Sequence, residues 1–236
     1  PSGGGVVILT ALNILECFQL SKLAPNSAQT YHLLAEAMKF AHHNRSKYVG
    51  DPNFSEIPYD MLLSKKLACE KAKQIKLKEA FTPKRTARTG DSINNSYIES
   101  KDTTHFSIMD KEGNAVSVTY TLGYSFGSGV TIPGTGILTN NQMNNFAHSY
   151  GIRDSYFRSS SPANKLDPLK RPMSTMSPVM VFDSKGNLEL ITGSPGGSQI
   201  PGIILQVLIN SIEFNLDIGA ASMMPRIHQD SQSLSM

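Results

Sequence analysis

Thr103 and Thr121 are the residues in this sequence best placed for hydroxyl chemistry, because the chain between them has the pattern of a hairpin. Phe106 and Ile108 alternate with His105 and Ser107, and Asp110-Lys111-Glu112-Gly113-Asn114 makes a turn. Val116, Val118, Tyr120 and Leu122 then alternate with Ser117, Thr119 and Thr121, a period of two that predicts a second strand. Closed symmetrically about Glu112, the hairpin pairs Met109 with Ala115 and, running outward, Thr103 with Thr121. Directly opposed residues share a face, with Cβ atoms about 4.5–5.5 Å apart. A hydroxyl so placed becomes a nucleophile if a base activates it. Thr is also a good strand former, and from the hairpin alone an ordinary Thr–Thr cross-strand pair is the simpler reading.

A second motif carries chemistry of a different kind. Residues 178–182, a turn at Asp183-Ser184-Lys185-Gly186-Asn187 and residues 188–192 predict another hairpin. It runs into Ser194-Pro195-Gly196-Gly197-Ser198, behind which Ile200, Ile203, Ile204, Val207, Leu208 and Ile212 form an apolar helical face. Backbone N–H groups at such a helix start point outward unpaired, and the helix dipole favours negative charge there. Glycines leave those groups uncovered, which suits an oxyanion. The loop lacks the Gly-Lys-Ser/Thr ending of a phosphate-binding loop, which argues against a nucleotide. By itself it also fits a tight strand-to-helix turn.

Other polar residues give weaker signals. His42 and His43 sit in a helical pattern with no spaced partner, so solvation explains them better than metal ligation. His228 follows Pro225-Arg226 without the Ser and Asp/Glu arrangement of a triad. Cys17 and Cys69 lie in apolar helical patterns and read as core residues rather than nucleophiles. Two cysteines cannot build a disulfide scaffold or a four-cysteine zinc site, and they fix no redox compartment.

The elements that must position these groups divide near residue 102. Residues 1–102 carry 14 basic and 10 acidic side chains and residues 103–236 carry 8 and 9, so the excess of positive charge is confined to the first part. Val6, Val7, Leu9, Leu12 and Leu15 recur at helical spacing, as do Tyr31, Leu34, Ala35, Met38 and Ala41. Residues 61–77 form a third, Lys-rich helical pattern. Residues 82–101 are poor in large apolar side chains and rich in Thr, Ser, Asn, Arg and Gly, the composition of an exposed linker or mobile loop. Helices first, then hairpins and a helix, is an α+β layout. With 236 residues, 39% of them apolar, the chain can bury a substantial core. A net charge of +3 without a basic block argues against nucleic acid, and no apolar run reaches the ~18 residues of a membrane helix.

The run Asp102-Thr103-Thr104-His105-Phe106-Ser107, with the hairpin after it, resembles the start of the small subunit of γ-glutamyltransferases (glutathione hydrolases). Other segments resemble the family in the same order. They are Pro1-Ser2-Gly3-Gly4-Gly5, Leu12-Asn13-Ile14-Leu15-Glu16, Ala35-Glu36-Ala37 through Arg45-Ser46, and Gly50-Asp51-Pro52. After the hairpin come Gly136-Ile137-Leu138, Asn140-Asn141-Gln142-Met143, and Arg171-Pro172-Met173-Ser174-Thr175-Met176-Ser177-Pro178. Gly193-Ser194-Pro195-Gly196-Gly197 and Pro225-Arg226 complete the series.

The resemblance implies an N-terminal-nucleophile hydrolase of the αββα sandwich type, here incomplete. Residues 1–102 would close the large subunit and residues 103–236 would form most of the small subunit of one precursor. Cleavage between Asp102 and Thr103 would free the Thr103 α-amine as base for its own hydroxyl. Thr121 matches the residue that hydrogen-bonds the nucleophile, and Gly196 and Gly197 match the oxyanion hole. Ser174 and Thr175 match a pair that binds the substrate α-carboxylate, and Gln142 matches a residue near its α-amine. The implied substrate is a small γ-glutamyl compound such as glutathione, with water or an amino acid as acceptor and no cofactor or metal. Family habit implies a periplasmic or extracellular location. Asn145 stands where the family usually has an Asp facing the substrate ammonium, and Gly123 where an Asn often helps. These departures favour, as alternatives, a cephalosporin (glutaryl) acylase or a polyglutamate-cleaving capsule enzyme. The family's carboxylate-clamping Arg belongs to a region before residue 1, and the end of the chain matches no family segment. A fragment with a purely structural or interaction role is therefore a further expectation.

Overall fold

A computed structural model describes residues 1–80, 102–147, 161–230 and 234–235. The linker expected at residues 82–101 lies outside the described residues. The first helices follow the apolar periodicity. Helix α1 (Gly4–Leu15) and helix α2 (Ala28–Tyr48) pack against each other. Ser27 starts α2, its Oγ accepting a hydrogen bond from Thr30 N at 3.1 Å. Ala11, Ala37 and Ala41 at the contact are fully buried and let Ile14, Leu33 and Met38 interdigitate around them. Each large side chain so buried stabilises the fold by about 1.5–3 kcal/mol.

The third expected helix is two helices. Helix α3 (Tyr59–Leu62) stops, and helix α4 (Lys65–Ala72) starts afresh at Ser64, whose Oγ accepts from Leu67 N at 3.2 Å. A side-chain cap offers the backbone an alternative to continuing the helix, and a period read over residues 61–77 does not detect it. Helix α4 also corrects the reading of the cysteines. Cys17, just past α1, is exposed, Cys69 is half-buried, and the two form a disulfide with Cα atoms 5.8 Å apart. They are a cross-link between two helices, not core residues. With a sequence separation of 52, chain entropy assigns the bond about 4 kcal/mol. Cys17→Ser/Cys69→Ser is expected to lower the unfolding free energy by about 2–4 kcal/mol. Denaturant melts of both forms check this, and reducing agent should lower only the parent protein.

The first hairpin has the expected register. Strands β1 (Thr103–Met109) and β2 (Ala115–Thr121) are antiparallel, with Met109 opposite Ala115 and Thr103 opposite Thr121. Asp110 closes the turn: its Oδ1 accepts from Glu112 N and Asn114 N at 3.0 and 2.8 Å, and its Oδ2 from Asn114 Nδ2 at 2.8 Å. Strands β3 (Val179–Phe182) and β4 (Leu188–Thr192) repeat the device with Asp183 and Asn187. They add a bulge at Val181/Phe182 that alternation alone does not reveal.

Helix α5 (Ile200–Ile212) joins the layers. Leu205 and Ile209 enter the α1–α2 core, while Ile200, Ile204 and Leu208 meet Ile8 and, from the hairpin, Val179, Val181 and Leu190. Helix α6 (Ile218–Met223), capped by Asp217, leads to strand β5 (His228–Gln229), which pairs with β6 (Leu234–Ser235). The architecture is α+β, built on three separate two-stranded ladders among the described residues. Ser117 Oγ donates to Thr192 O at 3.2 Å, which sets the first hairpin beside the second. The polar face of β1–β2 turns towards this junction. Its apolar face, with Phe106, Ile108, Val116 and Tyr120, is exposed. No helix among the described residues is long and apolar enough to cross a membrane.

Candidate active site

Thr103 and Thr121 reach one cavity together with Gln142, Asn145, Ser174, Thr175 and Gly197. Residues spread over more than ninety positions of sequence thus converge on one space. Thr103 is buried at 9% exposure, whereas Asp102 before it is exposed. Thr121 Oγ1 accepts from Gly123 N at 2.9 Å, which fixes the turn leaving β2. Gly196 does not line the cavity; it precedes Gly197, and both have positive φ, +126° and +55°. Successive glycines in this region let the strand-to-helix loop turn sharply at positive φ. A one-turn helix at Gly197–Gln199 then runs into α5.

His105 supports that loop from below. It lies two residues from Thr103 on the same strand face, with Nδ1 2.8 Å from Thr119 Oγ1 and Nε2 2.9 Å from Ser107 Oγ. A Cβ at Gly193 would come within 2.8 Å of the imidazole Cγ, so the ring and the loop backbone pack without space for a side chain. Burial pushes the imidazole pKa below its ordinary value and favours the neutral ring.

The Ser174–Thr175 side is held by the start of the chain. Ser174 N donates to Pro1 O at 2.9 Å, Gly3 N donates to Ser174 O at 2.8 Å, and Ser2 Oγ donates to Met176 O. A Cβ on Gly4 would lie 2.6 Å from Thr175 O, which explains the glycine there. Asp51 braces the same segment from the other end. It is fully buried, pairs with Arg171 (Nη2 to Oδ1 2.7 Å, Nε to Oδ2 3.0 Å), and accepts from Arg171 N and Asn53 N. The guanidinium and these N–H groups hold the Asp51 carboxyl well below the usual carboxylate range. A depressed folded pKa stabilises the protein above the unfolded value of about 3.9, and the contribution fades as acid protonates the folded group. Asp51→Asn is therefore expected to cost stability at neutral pH. The loss should be near the low end of about 1.5–3 kcal/mol, because Arg171 is half-exposed. Melts from pH 7 down to pH 2 check this: the two proteins should differ by a constant amount above about pH 5 and converge below pH 4.

A further part of the cavity lining is built from amides. Residues Gln142–Asn145 form a short turn in which Asn145 Nδ2 donates to Gln142 Oε1. Buried Asn164 ties this turn to the Ser174 segment: its Nδ2 donates to Asn145 O at 2.7 Å, and its Oδ1 accepts from Met173 N at 3.1 Å. Gly123 has φ +95°, and a Cβ there would come 3.0 Å from Asn141 Cγ, so Asn141 fills the space beside it. Asn141 Oδ1 accepts from Tyr124 N at 3.2 Å.

Sequence reasoning assigned no role to Arg45, Tyr124, Asn141 or Asn144, all of which line the cavity. Arg45 had a readable signal. Glu36, Lys39, His42 and Arg45 recur every third residue of α2, and all are buried. This corrects the reading of His42 as solvated: it packs edge-on against His228 with ring centroids 5.7 Å apart, and His43 alone faces outward. A polar stripe in a helix that packs on both sides is buried by its neighbours, whatever its own polarity.

Known proteins resemble this chain over most of its length. Glutathione hydrolase proenzyme of Escherichia coli K12 is 43% identical over 228 residues, covering 97% of this chain and 38% of that protein. Acylase ACY 1 proenzyme of Pseudomonas sp. SE83 is 34% identical over 236 residues, 100% of this chain and 39% of that one. The chain thus spans about two fifths of the length of these relatives. Among solved structures, cephalosporin acylase from Bacillus halodurans superposes on 96% of this chain and 37% of its own, with TM-score 0.76 and 31% identity. γ-Glutamyltranspeptidase from Pseudomonas nitroreducens covers 53% of this chain and 65% of its own, with TM-score 0.51 and 45% identity. The sequence model of the family described as Gamma-glutamyltranspeptidase matches residues 1–236, and this chain belongs to that family.

Proposed function

We propose that the full-length protein is an N-terminal-threonine amidase that cuts itself between Asp102 and Thr103 and then transfers γ-glutamyl-type acyl groups. The observation that carries this reading is the meeting of Thr103, Thr121, Gly197, Ser174 and Gln142 in one cavity. In the cleavage step, Thr103 Oγ attacks the Asp102 carbonyl carbon. The C–N bond breaks as the C–O bond forms, and the proton passes to the freed amine. Water hydrolyses the ester and leaves a carboxylate on Asp102. The Thr103 α-amine, with an ordinary pKa of about 7.7–8.0, is then substantially neutral near working pH and takes the proton from its own hydroxyl. Attack on the donor carbonyl makes an oxyanion facing the amide of Gly197, the leaving amine takes the proton, and water or an amino acid removes the acyl group from Thr103.

The αββα sandwich belongs to this proposal. The exposed Phe106, Ile108, Val116 and Tyr120 face is the surface a further layer would cover. The Cys17–Cys69 disulfide supports a periplasmic or extracellular site, since such bonds persist in oxidising compartments. A second reading, a glutaryl acylase, is favoured by the neutral Asn145, whose amide is engaged by Gln142. Comparing kcat/KM on γ-glutamyl and glutaryl anilides with the full-length protein decides between the two. A γ-glutamyl preference above tenfold supports the transferase, a glutaryl preference the acylase, and turnover of neither removes the enzyme reading.

A further inference from the structure

Resting on that amidase reading, we infer that His105 is a positioning residue, its imidazole the spacer that sets the Gly193–Gly197 loop at working distance from the Thr103 hydroxyl. Three same-face pairs of the first hairpin succeed one another from its open end: Thr103–Thr121, His105–Thr119 and Ser107–Ser117. The ring is gripped within this ladder, with Nδ1 2.8 Å from Thr119 Oγ1 and Nε2 2.9 Å from Ser107 Oγ. A neutral imidazole donates from one nitrogen and accepts at the other, and a hydroxyl serves in either part. Both nitrogens are thus engaged, which leaves neither to act as base for Thr103.

The loop meets this ladder at two successive residues. Thr192 O accepts from Ser117 Oγ at 3.2 Å, and Gly193 packs against the imidazole. The three atoms nearest to a Cβ built at Gly193 all belong to His105, with Cγ at 2.8 Å and Cε1 and Nδ1 closer still. Gly196 and Gly197 have positive φ, whereas Gly193 does not. Backbone conformation therefore does not call for a glycine at 193; the imidazole does. Four residues on, Gly197 shares the cavity with Thr103. A spacer in contact with the start of the loop passes its own displacement to the Gly197 amide. A misplacement of about 1 Å costs up to about 10²-fold in rate.

The experiment compares the full-length protein with His105→Ala, Gly193→Ala and the double variant. His105→Ala should lower kcat about 10–100-fold and leave KM within about threefold. Gly193→Ala should lower kcat about tenfold or more in the parent, yet less than about threefold in the His105→Ala background, where the obstacle to the methyl is gone. An equal cost of Gly193→Ala in both backgrounds overturns the proposal. So does a His105→Ala loss confined to KM, or a fall in kcat under about threefold. Hydrogen exchange in peptides covering residues 193–199 reads the same positioning without turnover, so failure of the amidase reading is separable. Under conditions where both proteins are folded, exchange there should be faster in His105→Ala, and slow as in the parent within α5. Unchanged exchange at 193–199 overturns the spacer role. If His105→Ala does not fold, Thr119→Val keeps the ring and removes its Nδ1 partner. It should lower kcat about three- to tenfold and speed exchange at 193–199; parent values of both overturn the proposal.

Discussion

Thr103→Ala in the full-length protein is expected to give a single uncut chain and a rate lower by about 10⁴–10⁶, the loss typical of a removed nucleophile. The substitution deletes the hydroxyl that we propose attacks in both reactions, so processing and turnover should fail together. Folding should survive. Thr103 heads β1 opposite Thr121, and exchanging a strand Thr for Ala costs within about 1 kcal/mol. An unchanged melting temperature would separate loss of chemistry from loss of structure. Thr103→Ser keeps a hydroxyl and an α-amine, and should process and turn over more slowly while following the same course. Gel mobility of the chains and steady-state rates of the three proteins check the series.

Gly197→Ala is expected to lower kcat by about 10²–10³ and leave KM within about threefold. The position has φ +55°, where a Cβ costs about 1–2 kcal/mol, and relief of that strain would rotate the N–H that we propose faces the oxyanion. Gly196→Ala meets a further obstacle, since its Cβ would lie 3.1 Å from Ile203 Cδ1 and φ there is +126°. Because the oxyanion forms only as the carbonyl is attacked, the loss belongs in kcat rather than in KM. Self-cleavage passes through a tetrahedral intermediate too, so it should slow in parallel. Separate kcat and KM values for both variants, with a time course of chain cleavage, test this. A change confined to KM would place the loop in substrate binding instead.

What could be read from the sequence depended on how local its cause was. The Thr103–Thr121 pairing follows from a five-residue turn and strict alternation, both contained in nineteen consecutive residues. The glycine loop likewise announces itself by position between a strand and an apolar helix. The Cys17–Cys69 bond does not, because the end of α1 meets α4 only when both pack on the same core. Arg45 reaches the cavity for a similar reason: the path of its side chain is set by Gly3 and Met173, from segments 42 residues before it and 128 after it. The break at Ser64 and the bulge at Val181/Phe182 are single-residue events within patterns that otherwise continue. The family resemblance pointed to the substrate-end residues Ser174, Thr175, Gln142 and Asn145. The bridge by which Asn164 ties their two segments together emerged only from the fold.

In the proposed mechanism the hydroxyl of Thr103 acquires a base when the bond before it is cut. Intact-mass analysis and N-terminal sequencing of the active full-length protein test it most directly. Two chains should be found, one ending in Asp102 and one beginning with Thr103. An active protein that remains a single chain, or whose second chain begins at any other residue, contradicts the account.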